Sequence, residues 1–228
     1  TNVDAKTDSV AIREEGLALA KEIFVKKDNS GIPLSDKIVV KPNLTCSQGG
    51  ADLESGMGII TDPYFVEGVI QGIKELGIAG EQFHLIEVNC PDDWSMRGYT
   101  QMAERTGSHL RNLNRDVKQL KDGDDITWID CPDGVVFKRI AYLAPVNQQD
   151  TWLLNIAKWK THGMGLTLCC KNQQGMCAQT YVNFCGTVGR IKSYPEHILQ
   201  DFQPNFEEQI DNLYNKHVEK RRGKFKML

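Results

Sequence analysis

The sequence predicts an α/β fold: a mixed, mostly parallel sheet flanked by helices, with its C-terminal edge incomplete. Three observations predict it. Short apolar runs alternate with segments of helical period. Those runs end at proline or asparagine and are short enough to be buried strands. The helical segments open on capping residues and close on glycine.

In residues 10–24, Ala11, Ile12, Leu17, Ala20, Ile23 and Phe24 recur at helical spacing, with Arg13, Glu14, Glu15, Lys21 and Glu22 between them. This is the pattern of an amphipathic helix. A Gly31-Ile32-Pro33 break precedes Lys37-Ile38-Val39-Val40-Lys41, a buried strand expected to stop at Pro42, where the backbone donor is lost. Thr61-Asp62-Pro63 opens the next helix with a side-chain cap and a first-turn proline, and Gly77 closes it after Val66, Val69, Ile70, Ile73 and Leu76. Residues 83–88 supply a second strand, and residues 96–106 a helix stopped by Gly107. Segments 110–113, 126–131, 135–143 and 152–157 read as further strands, the middle pair turning at Pro132-Asp133-Gly134. Residues 163–175 are read as a helix containing Leu166, Leu168, Cys169 and Cys170, and 204–222 as a polar helical stretch. Residues 1–36 are thus an N-terminal helix and connector packing on the core, 37–200 the α/β core, and 201–228 a helical C-terminal extension.

Composition sets the outer bounds. With 228 residues, 40% hydrophobic and 25% charged, the chain can bury a core and is neither disordered nor fibrous. Lys plus Arg 27 against Asp plus Glu 30 leaves a formal charge of -3, so no global field holds nucleic acid, and any anion site must be local. The apolar runs fall well short of the ~18–20 residues of a membrane span. Seven cysteines at irregular spacing do not form a disulfide framework. Cys169, Cys170, Cys177 and Cys185 do not match zinc or iron–sulfur spacings and are expected to be buried thiols, whereas Cys46 and Cys90 follow strand ends near Lys41 and Glu87. An iron–sulfur cluster or a metal ion is therefore a cofactor without a ligand motif here, and the cofactor is unknown. The chain starts at Thr1 without Met, which fits a bacterial cytoplasmic protein or, after removal of a signal segment, a periplasmic one.

Charge is unevenly distributed. No acidic residue lies between Asp150 and Glu196, while Lys158, Lys160, His162, Lys171, Arg190 and Lys192 do. Lys158-Trp159-Lys160-Thr161-His162-Gly163 follows an apolar strand, so its side chains are expected at the strand's carboxyl end, where open α/β sheets place ligands. Gly163 and Gly165 are expected to free backbone amides for an anion ahead of a helix. Lys41-Pro42-Asn43 forms a second cationic strand end, and a glycine-containing loop, 45–60, leads to Thr61-Asp62. Neither the Walker lysine pattern nor the dinucleotide glycine fingerprint is present.

Val40-Lys41-Pro42-Asn43-Leu44, Thr61-Asp62-Pro63, Gly98-Tyr99, Lys158-Trp159-Lys160-Thr161-His162 and Lys171-Asn172-Gln173-Gln174-Gly175 together resemble the domain-of-unknown-function family 362 over about residues 37–176. Some members of that family carry an appended ferredoxin-like iron–sulfur module. The resemblance implies an α/β domain and a functional face built from Lys41, Asp62, Lys160, His162, Lys171 and Asn172. This chain lacks the CxxCxxC run of that module. It also ends at Lys226-Met227-Leu228, where relatives continue, so an unseen C-terminal segment or a partner chain is expected to complete the site.

The expected function is a redox-linked enzyme acting on an anionic or carbonyl-bearing small molecule in a Lys/His-lined cleft at the strand ends. Lys160, His162 and Lys171 are the candidate catalytic residues. Lys41, Asn43, Thr61, Asp62, Lys158, Thr161 and Asn172 are the candidate ligand-binding residues, and Asp62 and Glu87 balance charge or carry protons. Two alternatives stay open: a metal-dependent enzyme using His162 with nearby thiols or carboxylates, and a non-catalytic anion-binding carrier.

Overall fold

Helix α1 (Ser9–Ile23) leads into strand β1 (Lys37–Pro42), helix α2 (Pro63–Lys74), strand β2 (Phe83–Ile86) and helices α3 (Asp93–Met96) and α4 (Tyr99–Thr106). Strands β3 (His109–Arg111), β4 (Ile126–Asp130), β5 (Arg139–Leu143), β6 (Thr151–Ile156), β7 (Lys160–His162) and β8 (Gly165–Thr167) follow, then helices α5 (Cys169–Asn172) and α6 (Glu196–Leu199). The computed structural model describes residues 8–24, 33, 35–44, 58–88, 93–111, 113, 117–162, 165–167, 169–178, 181, 196–209 and 212.

Four strands form one parallel sheet in the order β3-β2-β1-β6. Alternation along β1 and β2 divides their side chains between two cores. Ile38, Val40, Phe83 and Leu85 pack with Val66, Ile70 and Met102 from the helices. Val39 and Ile86 pack with Ile126, Ala141 and Leu143 from β4 and β5, and with Phe202. The fold is therefore α/β with a mostly parallel sheet: helices cover one face, and a separate antiparallel ribbon, β4–β5, covers the other. The turn at Gly134 is present, its N–H donating to Cys131 O at 2.9 Å, but residues 135–138 lie outside β5.

Helix starts follow the caps. The Asp8 carboxylate accepts from the N–H groups of Val10 and Ala11 at the start of α1, and Asp62 accepts from Tyr64 and Phe65 at the start of α2. The two helices cross at close range because glycines occupy the crossing. A Cβ on Gly16 would lie 2.2 Å from Phe65 O, and one on Gly68 would lie 2.0 Å from Arg13 O.

β1 ends at Pro42, as expected, with Pro42 itself still paired to Ile156 because the missing donor matters only where the ladder would use it. One local expectation is corrected. The expected helix at 163–175 is instead the β7–β8 hairpin, in which His162 pairs with Gly165, followed by the short α5 and a 3₁₀ turn, Gln173–Met176. Gly165 lies in a strand rather than ahead of a helix, and Gly163 lies outside the described residues. Phe202, within the expected C-terminal extension 201–228, is buried in the ribbon-side core and bridges to Phe137; of 204–222, residues 206–209 and 212 are helical, and most of the remainder lies outside the described residues. Among the described residues no helix is long and apolar enough to cross a membrane.

Candidate functional site

The strand order contains one reversal. From β1 the chain steps to β2 and β3 on one side, then returns to β6 on the other. Ligands of open α/β sheets bind at such a switch point, outside the strands' carboxyl ends. Here those ends are Lys41-Pro42-Asn43 on β1 and Ile156-Ala157-Lys158 on β6. Thr61 joins them: its hydroxyl donates to Ile156 O at 2.7 Å and accepts from Asn43 N at 2.9 Å, while its own N–H donates to Asn43 O at 2.9 Å. Tyr99 braces Thr61 from behind, its hydroxyl donating to Thr61 O at 2.9 Å.

Beneath the switch point lies a buried polar network. The Lys41 side chain is 0% exposed and that of Glu87 6%, and Lys41 Nζ meets Glu87 Oε2 at 2.6 Å. Lys41 Nζ also donates to Pro42 O at 2.5 Å and to Asn172 Oδ1 at 3.2 Å. Asn172, at the end of α5, donates through Nδ2 to Lys41 O at 3.0 Å and to Asn155 Oδ1 at 2.8 Å, and its Oδ1 accepts from Asn43 Nδ2 at 3.1 Å. Glu87 further accepts from the N–H groups of Leu44 and Val88. Gly175 lies flat against the pair, since a Cβ there would fall 2.1 Å from Glu87 Oε1 and 2.8 Å from Lys41 Cε. Asn43 Oδ1 is buried and has no hydrogen-bond partner.

Above this network the charge is positive. Lys160 Nζ donates to Ile59 O at 2.5 Å. Burial, followed by the nearby Lys171, Arg97 and Lys158 charges, pushes the Lys160 ammonium down to about 8, with Glu87 acting in the opposite direction. Burial raises the Asp62 carboxyl above its ordinary value, partly offset by the Tyr64 and Phe65 N–H groups and by Lys158. Arg97, though charged, is 1% exposed. Cations gathered in this way can hold an anion or polarise a carbonyl or phosphoryl oxygen. A lysine titrating near neutrality can also exchange a proton.

The structure brings together Lys41, Asn43, Thr61, Asp62, Lys158, Lys160, Lys171 and Asn172 from segments more than a hundred residues apart. Thr161 and His162 lie on β7, but their side chains fall outside the described residues, as do Cys46, Cys90 and Cys185. Cys177 is buried and its thiol is pushed up to about 11 by that burial, whereas Cys169 and Cys170 are exposed, correcting the expectation that both are buried. Among the described residues no group of three or more His, Cys, Asp or Glu side chains could hold a metal ion. Sequence reasoning missed Asn155 and Arg97. Asn155 had left a signal, a lone polar residue in the apolar run Trp152-Leu153-Leu154-Asn155-Ile156.

The parallel sheet, with one reversal of strand order, helices over one face and a β ribbon over the other, defines an α/β domain. A family model for a domain of unknown function, DUF362, matches residues 38–214, and the chain belongs to that family. No curated protein and no solved structure matches the chain.

Proposed function

We propose that this protein is an enzyme that binds an anionic or carbonyl-bearing small molecule at the β1–β6 switch point. One observation carries the reading: Lys160 is held half-buried among Lys158, Lys171 and Arg97, with its ammonium pushed down to about 8. Burial first, and then like charges, disfavour its ammonium in this position. Functional sites concentrate such perturbed groups, and an incoming anion would relieve the repulsion. In this reading Lys158, Lys160 and Lys171 hold the ligand's negative charge and Lys160 exchanges a proton with it. Lys41, whose donors already meet protein acceptors, positions Asn43 and Asn172 rather than binding ligand. The redox character rests on the family resemblance alone.

The test is a thermal-shift screen of phosphates, carboxylates and nucleotides, followed by a turnover assay on whatever binds. Lys160→Ala should remove the stabilisation by the binding anion while leaving the unliganded melting temperature within a few degrees of wild type. Undiminished stabilisation in that variant, or its failure to fold, would remove Lys160 from the site. Tight binding without turnover would favour the carrier alternative.

A further inference from the structure

A second concentration of positive charge lies on the sheet, toward the starts of the strands rather than their carboxyl ends. His84 on β2 stands opposite Val39 of β1 and opposite His109 of β3, with Lys37 two residues before Val39 and Arg111 two residues after His109. Residues two apart on a strand share a face, so all four lie on the face that carries the ribbon-side core residues Val39 and Ile86. The two imidazoles stack, with ring centroids 5.2 Å apart and planes at 27°.

Within the protein these groups meet neutral partners. Lys37 Nζ donates to Gln148 Oε1 at 3.3 Å, and Arg111 donates to Ala144 O at 3.2 Å and to Asp124 O at 3.0 Å. Among the described residues none of the four forms an ion pair, although the chain carries 30 acidic side chains against 27 lysines and arginines. After burial, the charges of His109, Arg111 and Lys37 disfavour the protonated His84 ring. The loop entering β4 meets this face through carbonyls: Asp124 O accepts from Arg111, and Gly123 O accepts from Gln148 Nε2 at 3.1 Å. The Asp125 carboxylate accepts from Lys121 N, and Asp122 and Asp124 are exposed. His84 Nδ1 is buried without a hydrogen-bond partner. Buried N–H groups are seldom left without an acceptor, so the neutral ring carries its proton on Nε2 and donates from there.

We infer that the stacked His84–His109 pair, flanked by Lys37 and Arg111, binds a small oxyanion of the phosphate or sulfate type, separately from the switch point. The imidazoles donate to the anion's oxygens, and the flanking cations add attraction. The anion supplies the countercharge that no carboxylate provides. A metal ion does not suit the pair, because Lys37 and Arg111 repel it and no third His, Cys, Asp or Glu joins the two rings among the described residues. β1 is six residues long, at about 3.3 Å per residue, which sets its first residue far from the carboxyl ends where Lys158 and Lys160 follow β6.

The test is NMR of the full chain, following the imidazole signals of His84 and His109 as sulfate is added at pH 6 with chloride holding the ionic strength constant. Sulfate keeps its charge throughout the range used. Both signals should move along a saturating curve. Sulfate should also raise the His84 titration midpoint from about 4 by about one pH unit, the low end for an opposite charge at contact range. His109→Gln should abolish the His84 response. Lys37→Gln, at an exposed strand start, should weaken sulfate affinity about two- to fivefold. Lys160→Ala should leave the response unchanged. If His109→Gln fails to fold, Lys37→Gln decides alone. No saturating movement in the wild type, or an undiminished response in a folded His109→Gln or in Lys37→Gln, overturns the inference. Loss of the response in Lys160→Ala would place the sulfate at the switch point and overturn it too, while leaving the anion-binding reading above intact.

Discussion

Two carboxylates are buried in this fold, and they are neutralised in opposite ways. Glu67, on α2, accepts from Arg105 Nε at 3.0 Å and Nη2 at 2.6 Å, with Arg13 Nε at 3.3 Å. Both arginine side chains reach solvent, at 42% and 31% exposure. Glu87 instead faces Lys41, which has no exposure at all. The Glu67 cluster ties α1, α2 and α4 together and keeps its countercharges in water. The Glu87 pair is sealed inside and fixes the asparagines beneath the switch point. A buried ion pair is a weak source of net stability, because desolvation consumes most of its attraction, but breaking it strands a charge. The sealed pair is thus better understood as a device for holding the strand ends in one arrangement than as a source of stability.

The largest expected effect follows from that reading. Lys41→Met should cost about 3–5 kcal/mol in chemical denaturation, because Glu87 is left uncompensated. The double variant Lys41→Met/Glu87→Leu should recover a large part of the loss, a coupling that a double-mutant cycle reads directly. If the single variant costs no more than Arg105→Met, the two clusters are equivalent and the contrast disappears. Gly175→Ala comes next, at about 1–3 kcal/mol from overpacking. The added methyl must displace Glu87 Oε1, which it would approach to 2.1 Å. A cost below about 0.5 kcal/mol, the scatter of neutral surface changes, would show that the ion pair yields easily.

The strands of the sheet were legible because burial on both faces leaves near-continuous apolar runs such as Ile38-Val39-Val40, and α2 was legible from Asp62-Pro63 at its start. The β7–β8 hairpin was not, because three-residue strands carry no measurable period, and leucine and cysteine suit a helix as well. The separation of the β4–β5 ribbon from the sheet depends on long-range packing against Phe202, which no local pattern encodes. At the site, Lys41, Asn43, Thr61 and Asp62 were readable as polar residues crowded at a strand end and a helix cap. Arg97 was not, since an arginine between Met96 and Gly98 gives no sign that tertiary structure buries it.

Salt sharpens the comparison at a smaller scale. Arg105→Met should cost about 1 kcal/mol at low ionic strength, and the penalty should shrink in 1 M NaCl, where the Debye length is about 3 Å. The Lys41→Met penalty should barely change, because ions do not reach a pair with no exposed surface. Equal salt sensitivity in the two variants would mean that water reaches the switch-point network.

A third group, half-buried, avoids charge altogether. His84 on β2 stacks on His109 of β3 with ring centroids 5.2 Å apart, and its Nδ1 is buried without a hydrogen-bond partner. Burial, then the His109, Arg111 and Lys37 charges, pushes its imidazole down to about 4. The unfolded chain titrates near 6.5, so between pH 6.5 and 4 it binds more protons than the folded one, and stability falls as pH drops through that window. Above pH 6.5 His84 is neutral in both states and contributes no slope. Because the ring is only half-buried, the loss should be on the order of 1–2 kcal/mol. Carboxylates also begin to titrate near pH 4, so the informative quantity is the stability difference between wild type and His84→Gln at pH 4.5, 5.5 and 6.5. That difference should shift steadily in favour of the variant as pH falls; parallel profiles would place the proton elsewhere.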